Sequence, residues 1–174
     1  LVHGVRPADF DSSIFLKDSR TAGLCAFLCG DLETRCRYLD RLLSLSRPII
    51  AIEDPASSIR PDVAIVGQDD MGAAAEMTRH LLEKGCEHFQ VLVPETQWPS
   101  VGQRLEGIAA AIDGARSTAR VEITRCDEAS ILRAEAMLAE LVPALPARTC
   151  LIGATDRLAT AISRTVRTSR PGAS

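Results

Sequence analysis

The chain has 174 residues, 46% of them apolar but only 3% aromatic, and a formal net charge of −3. That is room for one compact domain or two small lobes, with a core of Leu, Ile, Val and Ala that suits parallel strands under helices. It argues against a nucleic-acid binder in its own right, because phosphate contact needs clustered cations and the only lysines are Lys17 and Lys84.

Residues 1–20 carry turn formers (Pro7, Asp9, Asp11, Ser12, Ser13) and a short apolar run at Ile14–Leu16. From Leu24 the pattern becomes regular. Leu24–Leu28 is an apolar run of strand length, broken by Gly30 and Asp31. Leu32, Cys36, Leu39 and Leu43 then recur at helical spacing, with Glu33, Arg35, Arg37 and Arg41 on other faces. Pro48 ends that helix, Ile49–Ile52 reads as a strand, 53–61 as a Ser/Pro-rich loop, and Val63–Val66 as a further strand. A helix is expected to begin near Gly72, capped by Asp69 or Asp70, with Ala73, Met77 and Leu81 (and Ala74) inward and Gly85 as its left-handed stop.

Phe89–Val93 is the next strand and Pro94–Pro99 its loop. Ser100 and Gln103 have the spacing of a capping box, which predicts a helix over 101–112 with Leu105, Ile108, Ala109 and Ile112 inward. Val121–Thr124 reads as strand. Ile131, Ala134, Leu138 and Leu141 mark a helix stopped by Pro143 and Pro146, Thr149–Ile152 is strand, and Thr155 or Asp156 opens a last helix through Val166. No apolar run approaches the roughly 18 to 20 residues needed to span a bilayer.

The six cysteines (25, 29, 36, 86, 126 and 150) form no C-x-x-C pair and lack suitably spaced histidines, so they read as reduced, half-buried thiols in a cytoplasmic protein. Catalytic templates fail: there is no G-x-S-x-G, phosphate-loop, G-x-G-x-x-G or H-E-x-x-H motif. A receiver-type phosphoacceptor needs a lysine after a late strand, and none follows Lys84.

Alternating strands and helices with short connections close as parallel β-α units. Ligands of such sheets sit beyond the carboxyl ends of the strands. The residues just after the strands are Asp31, Asp69, Asp70, Trp98, Ser100, Arg104, Thr155 and Asp156. Two readings fit Arg104: a guanidinium forking toward ligand hydroxyls or a carboxylate, or a solvated surface arginine paired with Glu106 or Glu95. Asp69 and Asp70 fit ligand binding, cation holding or helix capping, and Asp156 shares that ambiguity. Trp98 either stacks on a sugar face or closes its loop onto the core.

Several stretches resemble the effector-binding core of the LacI/GalR family of bacterial transcription regulators. In that family a strand and an acidic pair precede a helix ending in H-L-x-x-x-G-H, then a strand, then S-x-x-x-R-x-x-G, and later N-D-x-x-A. Here the matching stretches are Val66 to Asp70, His80-Leu81-Leu82-Glu83-Lys84-Gly85-Cys86, Phe89 to Val93, Ser100 to Gly107 with Arg104 at the arginine, and Thr155-Asp156-Arg157-Leu158-Ala159. Upstream, Ala22-Gly23-Leu24-Cys25 and Arg47-Pro48-Ile49-Ile50 resemble the family's D-G-I-I and I-P-V-V. Cys86, Ala22 and Thr155 depart from the family's His, Asp and Asn, departures that bear on the ligand more than on the fold.

The resemblance covers about residues 20–166. It implies an α/β, two-lobed periplasmic-binding-protein-like fold with parallel sheets flanked by helices, truncated at both ends. The first lobe would be residues 1–85 and the second 86–174. It further implies a small sugar or nucleoside-like effector between the lobes, with Ser100, Arg104, Asp156, Thr155, Trp98 and Asp69 as ligand-binding residues. The same carry-over implies a homodimer in the cytoplasm, operator DNA bound by a helix-turn-helix domain absent here, and no catalysis, cofactor, metal or membrane partner. The chain opens on Leu1, which fits a piece of a longer regulator. The alternative readings are a solute-binding protein of a sugar ABC transporter and an enzyme on a similar frame. Arg104→Ala is expected to weaken effector binding with little loss of folding stability.

Overall fold

The computed structural model describes residues 18, 21–28, 32–52, 63–95, 98–127 and 129–169. The expectations placed on Asp31, on the loop at 53–61, on nearly all of 1–20 and on the tail after Ser169 lie outside the described residues. The chain divides into two compact units, Leu1–Asp69 and Asp70–Ser174.

The first unit contains β1 (Leu24–Phe27), α1 (Leu32–Leu43), β2 (Ile49–Ile52) and β3 (Ala64–Val66). Its strands are all parallel, in the order β1-β2-β3. Its core joins Leu39 and Leu42 of α1 to Leu28, Ile49, Ala51 and Val63. The helix is turned from the expected phase: Leu32 is 57% exposed while Arg35 is buried at 3%. Leu39 and Leu42, one turn further along, set that rotation, because they meet the alternate residues Ile49 and Ala51 of β2. The opposite face of the sheet bears Phe27, Ile52 and Val66 abreast, all exposed.

The second unit contains α2 (Asp70–Glu83), β4 (His88–Pro94), α3 (Pro99–Gly114), β5 (Arg120–Cys126), α4 (Ile131–Leu141), β6 (Thr149–Gly153) and α5 (Asp156–Ser169). The sheet is parallel in the order β5-β4-β6. Because side chains alternate along a strand, β4 serves two cores. Phe89, Val91 and Val93 pack with Ala74 of α2 and Val101, Ile108 and Ile112 of α3. Leu92 packs with Ala134 and Leu138 of α4 and with Leu158, Ala161 and Ile162 of α5. The buried Gln90 shares the second face and donates to Thr124 Oγ1 (2.9 Å) and to the Glu122 carbonyl. A central strand buried on both faces explains its near-continuous apolar run.

The division between units falls at Asp69/Asp70, one helix earlier than the expected 85/86 boundary. Gly107 is the physical reason. A β-carbon there would stand 2.2 Å from the Met71 carbonyl oxygen and 3.1 Å from the Ala74 β-carbon, so α2 lies directly against α3 of the second unit. So close an approach also selects the inward stripe of α2. Asp70, Ala74 and Thr78 are buried, while Ala73 and Met77, expected inward, are exposed. The stop at Gly85 is as expected, with φ +83°. Gly85 N–H donates to the Leu82 carbonyl and Cys86 N–H to the Leu81 carbonyl, the paired bonds of a Schellman cap.

Candidate functional site

In the second unit β4 connects through α3 to β5 on one side, while β6 lies on its other side. The chain reverses direction across the sheet between β4 and β6, the position where open parallel sheets leave a crevice at the carboxyl ends of their strands. The residues following β4 and β6 therefore border one end of the sheet: Trp98, Ser100 and Arg104 from the first connection and helix, Ala154, Thr155 and Asp156 from the second.

Arg104 organises this end. It lies in the second turn of α3, and its Nε and a terminal nitrogen both reach Asp70 Oδ1, at 2.8 and 2.7 Å. Its other terminal nitrogen donates to the Ala154 carbonyl at 2.5 Å. One side chain thus joins the first residue of α2, the body of α3 and the residue after β6. Asp70 is 6% exposed and Arg104 34% exposed. The expected pairing of Arg104 with Glu106 or Glu95 is replaced by this one, because burial at the α2 start makes Asp70 need a cation while Glu95 and Glu106 face solvent. A guanidinium carries five N–H donors, so these bonds leave donors on both terminal nitrogens. With its charge already met by Asp70, such a group is suited to donate to a ligand's hydroxyl oxygens.

The other expected residues take the following places. Trp98 is the N-cap residue of α3, extended at φ −94° and ψ 135°, half-buried and packed against the core of the α2/α3 face. The capping box expected from Ser100 and Gln103 does not form: the helix begins at Pro99, with no side-chain cap. Proline is pre-organised for the first helical position, which puts Ser100 inside the helix, where it has helical dihedrals and cannot cap. Gln103 Oε1 is buried without a hydrogen-bond partner among the described residues. Thr155 Oγ1 accepts from Leu158 N–H at 3.4 Å, so Thr155 opens α5 as expected. Asp156 is the first residue of α5 and is exposed. Asp69 is exposed and belongs to the first unit. Ser100, Arg104, Thr155, Asp156 and Trp98 are thus all carried by the second unit.

Asp70, read from the sequence as a helix cap, ligand contact or cation holder, and the Ala154 carbonyl are the partners that sequence reasoning did not attach to Arg104. The signal for Asp70 was its position: an acidic residue starting a helix, 34 residues before a cation in the second turn of the next one. Among the described residues no group of three or more His, Cys, Asp or Glu side chains is placed to hold a metal ion. No helix among them is long and apolar enough to cross a membrane.

No protein-family model matches the chain, and no curated protein matches it. Solved structures do. The Cra transcriptional dual regulator from Pseudomonas putida, in complex with fructose 1-phosphate, is similar with a TM-score of 0.72 at 18% identity over 96% of this chain. A LacI family transcriptional regulator from Enterococcus faecium with bound ribose is similar with a TM-score of 0.65 at 20% identity over 83% of this chain. A periplasmic sugar-binding protein of an ABC transporter from Legionella pneumophila is similar with a TM-score of 0.74 at 15% identity over 94% of this chain. The chain spans 60%, 52% and 58% of these three proteins, respectively. It therefore has the α/β fold that such regulators share with periplasmic sugar-binding proteins, and accounts for little more than half of one.

Proposed function

We propose that this chain is the ligand-sensing region of a LacI-type bacterial transcription regulator. It binds a small sugar or nucleoside-like effector, and in the whole protein that binding biases a DNA-binding head outside this chain. The observation that carries the reading is the Arg104 cluster at the reversal of strand order, where a charge-compensated guanidinium and the start of α5 border the same end of one sheet. The fold supports it, since similar structures hold ribose and fructose 1-phosphate. A sensor needs different affinity for two conformational states, not tight binding alone. Paired heads reading paired half-sites imply a homodimer, and reduced cysteines imply the cytoplasm. The bound compound is released unchanged, so the protein is not an enzyme.

Thermal-shift titration with ribose, fructose 1-phosphate and nucleosides tests the reading. One of these classes should raise the melting midpoint in a concentration-dependent way. The exposed Asp156, changed to Ala, should weaken that compound about tenfold, equivalent to about 1.4 kcal/mol, without lowering the unliganded midpoint. No shift with any class, or an Asp156→Ala variant that binds as the parent does, overturns the assignment. Recovery of a chemically altered sugar would make the protein an enzyme. The runner-up, a solute-binding protein of a sugar ABC transporter, is favoured by the Legionella pneumophila match. Sequence upstream of Leu1 separates the two: a basic helix-turn-helix marks the regulator, an apolar leader the transporter component.

A further inference from the structure

Charge is sorted along the strands. Each of β1 to β6 is followed in sequence, within four residues, by a carboxylate: Asp31, Glu53, Asp69, Glu95, Asp127 and Asp156. Each is preceded, within four residues, by a cation: Arg20, Arg47, Arg60, Lys84, Arg116 and Arg148. Arg157 is the one cation in the stretches that follow the strands. The strands of each sheet are parallel, so these stretches lie at one end of their own sheet. In the second unit that is the end Arg104 organises. Helix starts and guanidinium groups are the usual seats of a phosphate, and here each is engaged or blocked. α2 begins with Asp70, whose carboxylate holds Arg104 at 2.7 and 2.8 Å. α3 begins with Pro99, which has no N–H to donate. α5 begins with Asp156, and Thr155 Oγ1 already accepts from Leu158 N–H at 3.4 Å. Arg133 pairs with Asp127 at 3.4 Å, and Arg157 donates to the Ala129 carbonyl at 3.4 Å. Arg125, near the end of the edge strand β5, is offset by Glu95, whose N–H donates to the carbonyl of the adjacent Cys126 at 3.2 Å.

Given the sensor reading above, on which this rests, we infer that the effector carries no phosphate or carboxylate group: the site takes a free sugar or nucleoside and rejects its phosphorylated form. A hydroxyl group both donates and accepts, so it can receive an N–H of Arg104 and give its own proton to a carboxylate oxygen. A phosphate ester can do only the first. It brings a charge of about −1.5 to −2 at neutral pH, and enclosure in a crevice removes the water that would otherwise solvate it. Holding it takes cations or helical N–H groups that are not already engaged, and among the described residues this end of the sheet leaves few. Asp156, exposed at the start of α5, would meet the phosphate with like charge.

The experiment is thermal-shift titration of the chain, at fixed ionic strength, with matched pairs: ribose and ribose 5-phosphate, fructose and fructose 1-phosphate, adenosine and adenosine 5′-monophosphate. The expected result is a pair whose free member raises the melting midpoint, while its phosphate needs at least about a hundredfold higher concentration for the same shift, because like charges are set against each other. Charge should set that ratio. Glu95→Gln combined with Asp156→Asn removes two exposed carboxylates with little change of shape, and should narrow the ratio by about tenfold. Added salt should narrow it too. A phosphate that stabilises as well as its free partner, or better, overturns the inference and leaves the sensor reading standing. So does a ratio that neither the double variant nor salt alters. No shift with either member of any pair overturns both.

Discussion

Arg104 and Asp70 meet through a single oxygen: two guanidinium nitrogens converge on Asp70 Oδ1 at 2.8 and 2.7 Å, with the carboxylate 6% exposed. A candidate ligand-binding arginine is therefore also a structural one. Arg104→Ala would leave a buried carboxylate without its cation and the Ala154 carbonyl without its donor. We expect a stability loss of about 1–3 kcal/mol, discounted from a fully buried pair because Arg104 is about one-third exposed. This replaces the sequence expectation of a purely functional defect. Urea denaturation checks it: a parent-like midpoint refutes the structural role, and pairing with Asp70→Asn should recover part of the loss, as for coupled residues.

Gly107 and Gly102 lie on the same helix and should respond oppositely to alanine. A β-carbon at 107 would collide with the Met71 carbonyl, so Gly107→Ala should cost about 1–3 kcal/mol or more as α2 and α3 are forced apart. Gly102 has nothing within 4 Å of that position, so Gly102→Ala should stabilise by about 0.5–1 kcal/mol through helix propensity. Two thermal melts decide it; equal effects of the same sign would contradict the packing described.

Ser130 and Ser100 separate a cap that forms from one that does not. Ser130 is the N-cap of α4 and its side chain accepts from Arg133 N–H. Ser130→Ala should lower stability by about 0.5–2 kcal/mol. Ser100→Ala should leave stability within about 0.5 kcal/mol of the parent, as for a residue outside any cap. A large loss at Ser100 would restore the capping box.

Cys86 predicts an alkaline signature. Burial, reinforced by the neighbouring Cys150 thiol, pushes the Cys86 thiol up from 9.0 to about 12. The folded state thus holds this proton more tightly than the unfolded chain, and unfolding between those values releases it. Its contribution to stability is level below pH 9.0 and declines as pH rises toward about 12. The stability difference between parent and Cys86→Ala, measured by denaturation under reducing conditions, should be constant below pH 9.0 and shift against the parent above it. A difference independent of pH throughout would remove the buried-thiol description.

Leu138 tests the core that supports α4 and α5. It is fully buried among Leu92, Ala134 and Leu158. Leu138→Ala should cost about 2–5 kcal/mol, whereas the 72%-exposed Leu132 of the same helix should tolerate alanine with little change. Comparable losses at both positions would misplace the inward face of α4.

Much of this arrangement follows from local chemistry. Ile49–Ile52 is a strand as expected, and Ile131–Leu141 is the helix that Ile131, Ala134, Leu138 and Leu141 mark by their spacing. Gly85 stops α2 because its φ of +83° is open to glycine at no steric cost. Thr155 opens α5 because its hydroxyl satisfies a free helical N–H. Periodicity, punctuation and caps act over a few residues, so the chain by itself determined the order of strands and helices, their parallel α/β class and the polar residues that follow β4 and β6. Only the tertiary structure decided which helical faces turn inward, that α2 belongs with the second unit, and that Arg104 answers Asp70 and Ala154. Those outcomes rest on close approach between segments far apart in sequence. A glycine admits a neighbouring helix backbone, a buried carboxylate takes the cation within reach, and no local pattern records which distant group will be there.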